Sequence, residues 1–159
     1  MDLEGRICCP GPPPVGSTSS WEDERVSDRE AIERRRQIWI DFTTAGDVAG
    51  CVALLTEDAV WFPPGMAALS GREPVREWMA PFFEMYDYDF SVLNPLLRLA
   101  GNWALDRGTF TSTLTSRYDG RQTSHGGEYL ISWRRESDGE WYIERYVHLS
   151  DLEEDASVS

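Results

Sequence analysis

The chain has 159 residues, 41% of them hydrophobic and 12% aromatic, which is material for one domain with a true core and too apolar for a disordered polymer. With 15 Lys and Arg against 28 Asp and Glu the formal net charge is −13, a surface that a phosphate backbone repels, so nucleic acid is not an expected partner. Three cysteines and two histidines, with no Cys-x-x-Cys and no Cys/His cluster, point away from a disulfide framework, and neither a metal site nor a cofactor is expected.

The opening "MDLEGRICCPGPPPVG" lacks a leader's apolar run. Nowhere do about 18 apolar residues run together, so a cytoplasmic, soluble protein with no membrane contact is expected. Residues 1–26 are rich in Pro, Gly and Ser and read as a flexible arm. Ser27 and Glu30 form a capping box that predicts a helix start. Ala31, Ile38, Phe42 and Ala45 follow at helical spacing, with Ile32 and Trp39 alongside. The run Arg34–Arg36 reads as a solvated face. Gly46 closes this helix, and Asp47 caps a second one carrying Val48, Cys51, Val52 and Leu55.

A short strand, Ala59 to Phe62, is ended by Pro63 and Pro64, which have no N–H to give a sheet. Pro74 suits the first turn of a third helix whose stripe is Val75, Trp78, Met79 and Phe82. Pro81 predicts that this helix kinks or stops nearby. From Tyr88 the period shortens to two, and four strands are predicted near 88–99, 103–117, 123–135 and 140–149. Asp119-Gly120 and Asp138-Gly139 supply hairpin turns, and Pro95 marks an edge or a bulge. Residues 153–159 form an acidic tail that should fray. The order is three helices around one short strand, then a meander. That is an α+β domain over 27–152, with helices covering one face of a curved antiparallel sheet.

Four stretches carry a resemblance: "TTAGDVAGCVALLTEDAVWFPPG", "LSGREPVREWM", "GNWALDRGTF" and "GGEYLISWRRESDGEWYIERYVHLSD". Together they resemble the nuclear-transport-factor-2-like superfamily, the cone-shaped fold of ketosteroid isomerases and SnoaL-like polyketide cyclases. Within it the chain looks most like small SnoaL-like or SgcJ-like proteins of bacterial metabolism. The resemblance implies one deep pocket between sheet and helices, open to a small apolar or aromatic metabolite. It also implies a homodimer, common in the superfamily. The chain is similar, too, to the association domain of calmodulin-dependent kinase. There Arg107 matches the pocket arginine and Leu130 replaces another.

Isomerase activity that uses the ketosteroid-isomerase residue set is not expected here. The alignment puts Trp39 at the tyrosine position and Pro63 where the carboxylate base belongs, and a proline accepts no proton. The sheet acid falls near Glu128 or Leu130. An epoxide-hydrolase set is also disfavoured, because Asp106 and Arg107 are strand neighbours and must point to opposite faces.

Each remaining candidate has a structural and a functional reading. Trp39 and Trp61 either pack the core or wall the pocket. Arg107, sharing a face with Leu105, Thr109 and Thr111, is either a salt-bridged strand arginine or a cation that polarises a ligand oxygen. Glu128 is either its cross-strand ion-pair partner or a general acid or base. His148 alternates with Tyr146, Glu144 and Tyr142, and is either a surface residue or a proton shuttle. Leu105, Leu130 and Tyr146 are expected to shape the substrate site. Trp103, Trp133 and Trp141 are expected on the outer sheet face, as the dimer contact. The expected function is acid–base chemistry without a cofactor: cyclisation, isomerisation, dehydration or hydrolysis. The alternative is a dimeric ligand-binding or assembly domain without catalysis.

Overall fold

The computed structural model describes residues 19–150. Of the arm expected over 1–26, residues 1–18 lie outside the described residues, as does the acidic tail over 153–159, and 19–26 are helical instead. Helix α1 spans Ser19–Ala45, starting eight residues before the capping box at Ser27. Residues 19–27 hold no Pro or Gly, and Glu22 in the first turn complements the positive end of the helix. Gly46, at φ 68°, ends α1 in the left-handed region that glycine enters freely. Asp47 then caps α2 (Val48–Ala53), its Oδ1 accepting the Gly50 N–H at 2.9 Å.

Strand β1 (Leu55–Phe62) stops at the two prolines, and β2 (Leu69–Ser70) pairs back on it. Helix α3 covers Arg72–Met85 and runs through Pro81 to its end. Met79 and Phe83, on either side of the proline, are both buried, so packing holds a turn that local geometry weakens. The meander follows as β3 (Tyr86–Ala100), β4 (Trp103–Ser116), β5 (Gln122–Arg135) and β6 (Trp141–Ser150). The α+β class expected from the sequence is the one found.

The six strands form one curved, open sheet in the order β2-β1-β6-β5-β4-β3. Every pairing is antiparallel except β1 with β6, which run parallel because the whole meander lies between them. β3 is the far edge strand. At Pro95 its pairing slips between Leu93 and Leu96, and Asn94 takes a φ of 50°, so both readings of that proline apply. A second irregularity falls between Ser132 and Trp133 against β6. Trp133 pairs with Ile143 and Ser132 with Arg145, which leaves Glu144 as the extra residue.

The core lies between the concave face of the sheet and the three helices. On α1 the buried positions are Ile32, Arg36, Trp39 and Thr43, one stripe at i, i+4, i+7 and i+11. Arg36 therefore departs from the solvated face expected of the triple arginine. Trp133 and Trp141 also depart from expectation, being 0% and 1% exposed, while Trp103 alone of the three is exposed, at 41%. Trp133 shares a face with Tyr129 and Ile131 and so points into the core. Among the described residues no helix is long and apolar enough to cross a membrane.

Candidate functional site

A cavity of about 120 Å³ opens between α1, α3 and the concave sheet. Aromatic side chains make most of its wall. Trp39 comes from α1, Trp61 from β1, Trp78, Phe82 and Phe83 from α3, Tyr88 and Phe90 from β3, and Tyr146 and His148 from β6. Trp61 and Tyr146 are register partners across the parallel pair, and their rings stack at 4.0 Å and 15°. Trp39 packs on Tyr146 at 5.2 Å and edge-on to Phe90 at 5.0 Å. His148 stands edge-on to Phe110 at 4.3 Å.

Polar groups on this wall are few: Thr43 and Ser112 join the tyrosines, tryptophans and histidine. Thr43 is already engaged, its Oγ1 donating to the Trp39 carbonyl at 2.8 Å. Two nitrogens are not. His148 Nε2 and Trp61 Nε1 are buried and find no hydrogen-bond partner within the protein. Burial pushes the His148 imidazole down to about 4, with His125 adding a smaller push in the same direction. Burial likewise pushes the Tyr88 phenol up to about 12 and the Tyr146 phenol upward. At neutral pH the wall is therefore uncharged, and its imidazole is neutral.

The structure divides the sequence-derived candidates in two. Trp39, Trp61, Tyr146 and His148 line the cavity. Leu105, Arg107, Glu128 and Leu130 do not. They face away from it, because the inward residues of β4 are Ala104, Asp106, Phe110 and Ser112, and those of β5 are Tyr129, Ile131 and Trp133. Arg107 and Glu128 are both exposed. Their expected pairing is displaced as well, since Arg107 lies opposite Leu130 and Glu128 opposite Thr109. His148 keeps its expected parity with Tyr146 but loses Glu144 and Tyr142, which the β6 bulge turns to the other face.

Asp106 is the charged residue that does point inward, and its surroundings are filled rather than open. It is 0% exposed and accepts from Arg36 Nε at 2.8 Å, Trp133 Nε1 at 3.2 Å and the Tyr129 hydroxyl at 3.1 Å. Gly108 makes room for this, because a Cβ there would meet the Tyr129 hydroxyl at 2.9 Å. None of these four side chains reaches the cavity wall, so the cluster ties α1 to the sheet.

Sequence reasoning passed over Ser112, Tyr88 and Phe90. The signal for Ser112 was present in β4, where Ala104, Asp106, Phe110 and Ser112 alternate with Arg107 and a row of threonines. The threonine row is what a solvated strand face looks like. Among the described residues no group of three or more His, Cys, Asp or Glu side chains is placed to hold a metal ion.

Residues 37–143 match the family model described as a SnoaL-like domain. Among solved structures the chain is similar to an NTF2-like protein with a cystatin-like fold from Novosphingobium aromaticivorans. Identity there is 17%, with 89% of this chain and 92% of that one covered, at a TM-score of 0.71. It is similar to a ketosteroid isomerase-like protein from Erwinia carotovora atroseptica, at 24% identity, 74% and 91% coverage and a TM-score of 0.64. It is also similar to a hexachlorocyclohexane dehydrochlorinase, at 16% identity, 79% and 86% coverage and a TM-score of 0.70. At these identities the likeness is one of fold. No curated protein matches the chain significantly.

Proposed function

The chain belongs to the SnoaL-like domain family, within the nuclear-transport-factor-2-like superfamily, and on that premise we propose that it is a cofactor-independent enzyme that moves a proton on a small apolar or aromatic metabolite bearing an oxygen. One observation carries this reading: a buried imidazole nitrogen without a protein partner, on the wall of an aromatic cavity. A neutral imidazole with a depressed pKa is a weak base. It suits a C–H already acidified by a neighbouring carbonyl.

The step is balanced without any further reactant. His148 Nε2 takes a proton from the carbon beside a ketone, and the C–H electron pair moves toward the carbonyl oxygen. The imidazolium then returns the proton to the same carbon, or to the far end of a conjugated enolate. Isomerisation follows in the second case. Loss of a β-leaving group from the enolate, the group taking up the imidazolium proton as it departs, instead makes the reaction an elimination.

Cyclohex-3-enone in D2O tests the proposal. Deuterium should enter beside the carbonyl, or cyclohex-2-enone should accumulate, faster than in buffer alone. His148→Gln should still bind the ketone and lose the rate. Binding by the parent protein with no exchange and no isomerisation sinks the enzyme. It leaves the alternative reading, a pocket that only carries its ligand.

The proposal includes a homodimer through the outer sheet face, to which Trp103 alone of the three expected tryptophans contributes. Leu93, Leu96, Trp103 and Leu149 are exposed there. Arg107 and Glu128 on the same face are charges of opposite sign that a two-fold axis can pair between copies.

A further inference from the structure

The second unpartnered atom belongs to Trp61. Its side chain is 4% exposed and its Nε1–H meets no acceptor within the protein. Buried donors are almost always paired, because an unpaired one forfeits its hydration for nothing. Trp133 obeys that rule in the same core, donating to Asp106. Trp61 breaks it on the cavity wall.

The indole is also held in place. It stacks on Tyr146, and Trp78 packs against it at 6.3 Å. Pro63 and Pro64 end its strand directly after Phe62. To reach an acceptor elsewhere the ring would have to give up the stack. An indole nitrogen donates and never accepts, so what satisfies it must bring an acceptor atom into the cavity.

We propose that the Trp61 indole N–H seats the ligand's oxygen, and so selects a neutral single-ring carbonyl compound over a hydrocarbon of the same shape. This rests on reading the cavity as the ligand site beside His148. Neutrality follows from the wall, which carries no Lys, Arg, Asp or Glu; an anion would enter without a countercharge. Size is bounded by the cavity, whose volume of about 120 Å³ lies below the roughly 150 Å³ that holds a benzene, so it encloses no more than one ring. The donor's hold tightens as negative charge grows on the oxygen during proton removal.

Cyclohexanone and methylenecyclohexane, matched in shape, are titrated against the full chain and followed by NMR. Cyclohexanone should bind about tenfold tighter. It should also move the Trp61 indole N–H resonance downfield, that resonance being assigned by Overhauser contacts to the stacked Tyr146 ring. In Trp61→Phe the two probes should bind within about twofold of each other. Equal affinities in the parent protein, or an unmoved Trp61 resonance at saturation, overturn the donor role and leave the pocket standing. Failure of both probes to bind at millimolar concentration, read from the Tyr146 and His148 resonances, overturns the pocket reading and the donor role together. Where the variant does not fold, the resonance shift in the parent protein decides alone.

Discussion

Arg36 Nε lies 2.8 Å from Asp106 Oδ2, with both side chains withdrawn from solvent. The same carboxylate takes hydrogen bonds from Tyr129 and Trp133, so one residue ties α1 to two strands. Asp106→Ala would strand a guanidinium and two neutral donors in the core. Urea unfolding should show a loss of about 3–5 kcal/mol. Replacing Arg36 by Met and Asp106 by Leu together should recover much of that loss, because no charge is then left buried alone.

Gly108 lies opposite Tyr129 in the β4–β5 register. A Cβ there would come within 2.9 Å of both the Tyr129 hydroxyl and the Leu93 carbonyl oxygen. The Leu93 oxygen is backbone and cannot step aside as a side chain can. Gly108→Ala should therefore lower stability by about 1–3 kcal/mol, and the Tyr129–Asp106 hydrogen bond should be the first to break. Calorimetry measures the stability, and the Tyr129 hydroxyl resonance reports on the hydrogen bond.

His148 sets a pH window. Its folded pKa is pushed from 6.5 down to about 4, so between those values the unfolded chain holds the extra proton. Stability should be complete above about pH 6.5, fall as the pH drops toward 4, and lose nothing further from this group below that. About 2 kcal/mol is expected after discounting for the part of the ring that reaches solvent. In His148→Gln the part of the slope due to this group should vanish, which denaturation at pH 4.5 and 7.5 checks. The rate of proton exchange should follow a free-enzyme pKa near the same low value.

Arg107 and Glu128 face away from the cavity, so Arg107→Ala and Glu128→Gln should leave ligand affinity and turnover within about twofold of the parent protein. On the proposed dimer face their effect is expected on self-association instead. Arg107→Glu should weaken self-association at low salt, and combining it with Glu128→Arg should restore it. Sedimentation at several concentrations distinguishes these outcomes. A loss of turnover in Arg107→Ala without a change in mass would return Arg107 to the site.

Much of the fold was legible because its signals are local. Asp47 caps α2 and Gly46 ends α1 through contacts a few residues long. Gly120 and Gly139 take the positive φ that their hairpin turns need. The four meander strands fall within two residues of the positions expected from period-two alternation, whereas β1 begins at Leu55, four residues before the expected Ala59 and on a residue expected in α2. Half of the candidate site was legible for the same reason, since Tyr146 and His148 share a face and Trp61 closes a strand that Pro63 must stop.

Alternation says that a strand has two faces, and it does not say which one the helices cover. Threonines and an arginine on one face of β4 gave way to Ala104, Asp106, Phe110 and Ser112 on the other, since α1 lies against the latter and brings Arg36 to Asp106. The unpaired Glu144 then turned Tyr142 and Glu144 away from the cavity and kept His148 in it, through a register set by β5. The order of elements, their ends and the wealth of aromatic wall material were written locally in the chain. The choice of inward face, which puts Arg107 and Glu128 outside and His148 and Trp61 on the cavity wall, came from contacts between residues far apart in sequence. Burial of one face against a helix is a property of the assembled layers and of no single strand.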